Sequence, residues 1–242
     1  MPKRIVFADI DGTLVKGYIT VDFIRWLYKN DKTLVNEKGF LEHERLLDLY
    51  TQKKIKYVNL VPKWSQSIAD SLKGKNVEKI ENKAKVFFKS WKKKGIYSST
   101  YKLVTLMKKK NYLYILVSGG LNYLTGLFAK EIGADDFIGM KIKTKSGAYT
   151  NKLENDVRTE KGKDKEVKRF LKKYKSSKEL AIGLGDSPQD AAIFKNTKKI
   201  VALNPNSELK KLAIKNNWFI ANNKNIIRVM NNCFNKGKIK CD

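Results

Sequence analysis

Short apolar runs alternate with amphipathic stretches along most of the chain. Arg4–Ala8, Tyr112–Val117, Leu180–Leu184, Ile200–Leu203 and Trp218–Ile220 are of strand length and apolar enough to read as strands buried on both faces. Between them, Ser98–Lys110, Leu121–Ile132, Lys163–Tyr174, Pro188–Asn196 and Ser207–Asn216 space their apolar residues as helices with one face on a core do. A helix between successive strands returns the chain to the start of a parallel neighbour, so the pattern predicts the α/β class with a doubly wound parallel sheet. Two stretches depart from this rhythm. Residues 17–95 hold several helical patterns and no convincing strand, which predicts a small helical domain inserted after the first strand, with 1–16 and 96–242 as the core domain. Ile138–Leu153 alternates apolar and polar positions around Ser146-Gly147, the pattern of a β-hairpin.

Composition narrows the class. With 242 residues and 42% hydrophobic content the chain can bury a sizeable core, which excludes intrinsic disorder. No apolar run is long enough to span a bilayer, and Met1-Pro2-Lys3-Arg4 passes straight into an apolar run without a small-residue cleavage site, so a cytoplasmic protein is expected. Cys233 and Cys241 are too few for a disulfide scaffold, lack metal-ligand spacing and read as free thiols. Lys and Arg total 51 against 24 Asp and Glu, a net charge of +27 that attracts anionic surfaces in general. Only six of the 51 are arginine and the lysines are spread over the whole chain, as codon bias produces, so no specific nucleic-acid partner is expected. The sequence carries no signal of oligomeric state.

The strongest chemical signal is Asp9-Ile10-Asp11-Gly12-Thr13-Leu14, directly after the first strand and so at the edge of the sheet where α/β proteins bind ligands. In an extended segment residues two apart point the same way, so Asp9 and Asp11 are expected to converge. Two buried carboxylates repel at a cost of several kcal/mol unless a cation intervenes, and hard oxygen ligands suit Mg²⁺. Gly185-Asp186-Ser187-Pro188-Gln189-Asp190 repeats the arrangement after a later strand, with Pro188 opening a helix. Leu116-Val117-Ser118-Gly119-Gly120 ends a third strand with a hydroxyl and two glycines before a helix, a cradle for an anion. Lys163 begins a helix and adds a cation, with Lys161 and Lys165 as competitors for the role.

In this order the segments resemble the four motifs of the haloacid dehalogenase superfamily of aspartate-dependent phosphohydrolases: Asp9-x-Asp11-Gly12-Thr13, Ser118, a helix-initial lysine, and Gly185-Asp186-x-x-x-Asp190. The helical insertion after the first motif, a cap in such proteins, and the hairpin ending Tyr149-Thr150 are most similar to the phosphoserine-phosphatase-like branch. The resemblance implies a Rossmann-like core and hydrolysis of phosphate monoesters. Asp9 is then the nucleophile that forms an aspartyl-phosphate, and Asp11 the general acid and base. Mg²⁺ is implied between the Asp9 carboxylate, the Asp11 backbone carbonyl and Asp186. Thr13, Ser118, Gly119 and Lys163 are implied to bind phosphoryl oxygens, and Asp190 to orient the lysine or a metal-bound water. Gln189 departs from the family pattern, which carries Asn there; it keeps the amide and lengthens it.

The insertion bears on substrate. Phosphoserine phosphatases place a glutamate shortly after the first motif to hold the substrate amine, whereas this chain reads Val15-Lys16-Gly17-Tyr18-Ile19-Thr20. That favours a small neutral or anionic phosphate ester over phosphoserine, with a lipid phosphate or nucleotide, or a phosphomutase reaction, as alternatives. A basic polyanion-binding protein on the same fold is the non-enzymatic alternative. Tyr18, Phe23, Trp26 and Trp64 either line a pocket or pack the inserted helices together. His43, the single histidine, excludes a histidine-based triad or metal site by count and reads as a packing or surface residue.

Overall fold

A computed structural model describes residues 2–155 and 157–235. Its centre is a six-stranded sheet built from β1 (Arg4–Ala8), β2 (Tyr112–Leu121), β3 (Asp136–Met140), β6 (Ala181–Gly185), β7 (Lys199–Leu203) and β8 (Phe219–Ala221). The order across it is β3-β2-β1-β6-β7-β8, and every pairing is parallel. From β1 the chain builds outward through β2 and β3, then returns to place β6 on the other side of β1, so the strand order reverses between β1 and β6. Ligand crevices open at such a reversal, outside the carboxyl ends of the strands. Register fixes which residues meet there: Ala8 pairs with Leu116 on one side and Leu184 on the other, so Asp9, Ser118 and Asp186 lie along the same edge.

Helices α5 (Ser98–Lys109), α6 (Asn122–Ile132), α7 (Glu160–Lys173), α8 (Ala191–Lys195), α9 (Ser207–Lys215) and α10 (Ile226–Asn235) accompany the strands. The core runs through Ile5, Val6 and Phe7 of β1 and Tyr114 to Val117 of β2, all fully buried, as strands with apolar side chains on both faces require. Cys233 is buried and free, and Cys241 lies outside the described residues. Among the described residues no helix is long and apolar enough to cross a membrane.

Three expectations change. The alternating stretch from Ile138 is not one hairpin: β3 joins the sheet beside β2, and the hairpin is β4 (Ile142–Lys145) with β5 (Ala148–Leu153). A two-residue period marks a strand but not its partner, and buried Ile138 and Met140 belong to the main core. Ser118, Gly119 and Gly120 are still within β2, and the following helix begins only at Asn122. Pro188 opens a 3₁₀ turn, Pro188–Asp190, ahead of the short α8.

Between β1 and α5 lie α1 (Ile19–Asn30), α2 (Glu37–Thr51), α3 (Tyr57–Leu72) and α4 (Val77–Gly95). The chain enters and leaves this insertion at neighbouring points. Val15 bridges Ile96, Lys16 N donates to the Gly95 carbonyl at 2.8 Å, and Thr100 Oγ1 donates to the Leu14 carbonyl at 2.7 Å. A second attachment ties the α3–α4 turn to the hairpin: Gly74 N donates to Tyr149 O, Tyr149 N to Lys75 O and Val77 N to Gly147 O, at 2.7, 3.0 and 2.9 Å. Phe23 of α1 and Ile80, Ala84 and Phe87 of α4 join the main core, whereas Val21, Leu46, Leu47, Leu60 and Trp64 form a separate cluster under α2 and α3.

Candidate active site

Asp9 follows β1 directly and is 8% exposed. Its nearest cation comes from α7. Thr159 caps that helix, its hydroxyl accepting from Gly162 N at 3.1 Å, and the first turn then carries Lys163 inward. Lys163 is 5% exposed, and its Nζ donates to Asp9 Oδ1 at 3.1 Å and to Asp190 Oδ1 at 2.9 Å. Lys161 and Lys165 are exposed on the same helix.

Asp186 follows the neighbouring strand, and its Oδ1 accepts from Thr13 Oγ1 at 2.9 Å. Thr13, expected beside the phosphate, is thus buried and spends its hydroxyl hydrogen on Asp186. Gly12 makes that approach possible: its φ is +79°, and a Cβ there would lie 2.6 Å from Asp186 Oδ2. Asp190 is held by its own turn, its Oδ2 accepting from Asp186 N at 3.1 Å and Ser187 N at 3.3 Å in a capping box.

Asp11 is anchored from the insertion, its Oδ1 accepting from Ile19 N at 2.8 Å at the start of α1. Asp9 and Asp11 line one cavity, but the carboxylates whose oxygens gather within 4.8 Å of one another are Asp9, Asp186 and Asp190. Ser118 is fully buried and its Oγ accepts from Gly120 N at 3.0 Å, while Gly119 lines the cavity.

Four carboxylates face one buried ammonium here, and the electrostatics register the imbalance. Burial raises Asp9 well above the usual carboxylate range despite the opposing pull of Lys163. Burial pushes Asp186 up to about 7, with the Asp190 charge adding to it, and pushes Asp11 up to about 6 against the Ile19 hydrogen bond. The all-oxygen donors of Asp9, Asp186 and Asp190, with their excess negative charge, fit a hard divalent cation such as Mg²⁺.

The cavity measures about 240 Å³, and its far wall comes largely from the insertion: Tyr18, Val21, Tyr50 and Trp64. Phe23 and Trp26, weighed with Tyr18 and Trp64 in the sequence, instead pack on Phe87 at 5.4 and 5.8 Å. His43 is a packing residue, fully buried with its ring stacked on Trp64. Sequence reasoning missed Arg158 and Asn206. Arg158 precedes α7, donates from Nε to the Gly119 carbonyl and lies over the Trp64 ring at 5.0 Å. Its one advance signal was an arginine, rare in this chain, five residues ahead of Lys163. Asn206 caps α9 and donates its backbone N–H to the Asp186 carbonyl at 2.8 Å.

The family model for haloacid dehalogenase-like hydrolase matches residues 6–195, a span that holds the whole carboxylate and lysine cluster. The chain belongs to that family. Among curated relatives, a phosphoserine phosphatase of Archaeoglobus fulgidus is 22% identical over 211 residues, covering 87% of this chain and 55% of the relative. The chain therefore spans little more than half the length of that protein. Two solved structures share the fold. A Bordetella pertussis Tohama I protein of unknown function has a TM-score of 0.77 at 16% identity, over 92% of this chain and all of its own. A phospho-aspartyl intermediate analogue of phosphoserine phosphatase has a TM-score of 0.65 at 20% identity, over 92% and 94%.

Proposed function

We propose that this haloacid dehalogenase-like hydrolase is a phosphatase that cleaves a small phosphate monoester through an aspartyl-phosphate on Asp9. The observation that carries the reading is the ion-paired cluster at the sheet reversal, where the buried Lys163 ammonium spans Asp9 and Asp190 with Asp186 alongside. A neighbouring fold captured as a phospho-aspartyl analogue supports the role of Asp9.

Asp9 attacks phosphorus and the ester oxygen departs with a proton from Asp11, which later takes a proton from the water that frees phosphate and restores Asp9. Lys163, Ser118 and the Gly119 backbone bind the phosphoryl oxygens, while Thr13 acts through Asp186 by holding its carboxylate. Asp190 fixes the Lys163 ammonium. Asp9, Asp186 and the Asp11 carbonyl would hold Mg²⁺, which would neutralise charge between protein and phosphate.

The substrate is a neutral or anionic ester. Among the described residues the cavity has no acid beyond Asp9, Asp11, Asp186 and Asp190, so the amine of phosphoserine finds no carboxylate of its own. The test is phosphate release from para-nitrophenyl phosphate and a panel of metabolite phosphates, with and without EDTA. Asp9→Asn and metal removal are each expected to lower turnover by about 10³-fold or more. Turnover that survives either change would overturn the reading.

A further inference from the structure

Gln189 lines the catalytic cavity and also a second one, of about 270 Å³, between α3 and the Pro188 turn. Arg158 is the other residue common to both, so the two compartments adjoin along these two side chains. They differ in how they are held. Arg158 is fastened by the Gly119 carbonyl and the Trp64 ring, and its stem lies 3.0 Å from where a Cβ on residue 119 would be. The Gln189 Oε1 atom is buried and has no hydrogen-bond partner among the described residues. Native proteins pair nearly all such atoms, and one left over on a residue that lines two cavities marks a place where a bound molecule can supply the donor. Beyond these two side chains the wall turns apolar, with Val61 and Pro62 of α3 facing Pro188. The two polar side chains there are already engaged, Thr159 with Gly162 N and Glu160 with Lys195 at 3.5 Å.

Building on the phosphomonoesterase reading, we propose that the leaving group runs from Asp9 past Arg158 and Gln189 into this second compartment. The substrate class is then a phosphate monoester of an elongated alcohol that carries an O–H or N–H donor near the ester and an apolar end. A compact metabolite fills the first cavity alone and leaves Gln189 Oε1 bare. A chain of several carbons reaches Val61, Pro62 and Pro188, and its donor meets Gln189 on the way.

The experiment measures binding of ethyl, butyl, hexyl and octyl phosphate to Asp9→Asn by calorimetry, beside hydrolysis of the same series by wild type. Affinity and kcat/KM are expected to rise about three- to fourfold per methylene until the compartment is full. Val61→Phe is expected to flatten the series, and Val61→Ala to move its optimum to a longer chain. A hydroxyl on the second or third carbon is expected to add about fivefold in wild type and nothing in Gln189→Leu. Affinity that is flat with chain length, or a series unchanged by both Val61 variants, overturns the inference. Turnover absent while affinity climbs overturns the phosphatase reading instead and leaves the compartment as a ligand site.

Discussion

His43 shows how much a single buried group can set. Its imidazole is fully buried with neither nitrogen hydrogen-bonded, and burial, reinforced by the Arg158 and Arg25 charges, depresses its pKa from 6.5 to about 3. Above about pH 7 the ring is neutral folded and unfolded alike; below that the unfolded chain takes up the proton and the folded one does not, so stability drains away as pH falls toward 3. The loss expected from this group between pH 8 and pH 5 is about 2 kcal/mol. The raised carboxylates Asp9, Asp11 and Asp186 work in the opposite sense, so the measurement is the difference in urea-unfolding free energy between wild type and His43→Leu across that range, from which they cancel. A pH-independent difference would refute the assignment. Gly12 is as exacting: Gly12→Ala puts a methyl into Asp186 at a positive φ and is expected to cost about 1–3 kcal/mol by urea unfolding. Asp9, Asp186 and Asp190 were legible from strand ends and turns local to the sequence, whereas Lys163 stood level with Lys161 and Lys165 until its burial against Asp9 and Asp190 set it apart. Gln189 was visible only as an odd residue, since its meaning depends on α3, the Arg158 segment and the Pro188 turn meeting in space.

At the level of elements, the sheet strands other than β3 were readable because parallel strands buried on both faces leave unbroken apolar runs. β3 was not, since a five-residue edge strand and half a hairpin share one alternating pattern, and only the Ile115–Asp136 register with β2 separates them. Helix starts rest on caps: Thr159 for α7, Asn76 for α4 and Asn206 for α9 each accept a backbone N–H in the first turn. The first of these also aims Lys163. Thr159→Ala is expected to cost about 1 kcal/mol in urea unfolding and to lower kcat, whereas Thr159→Ser should recover both. If the Ala variant keeps full kcat, the cap serves the helix alone.

Across the whole molecule, a net charge of +27 surrounds a cavity whose own carboxylates outnumber its cations. The long-range field draws a phosphate dianion in while the local one resists it, and salt screens the former more because it acts through water. Raising ionic strength from about 0.02 to 0.5 M is therefore expected to lower kcat/KM for an anionic ester several-fold, while leaving a neutral inhibitor's affinity unchanged. Equal effects on both would point to a structural change rather than screening. The inserted helices enter and leave at Val15 and Ile96 and are fastened again where the α3–α4 turn meets the hairpin. A door hangs from one edge; this piece is a beam clamped at both ends, and such a beam yields at mid-span. The mid-span is α2 with the adjoining part of α3, which carries Tyr50, Trp64 and the smaller apolar cluster, so amide hydrogens of α2 are expected to exchange faster than those of α4. Entry to the site is then a local flexing of the roof over a floor that stays still.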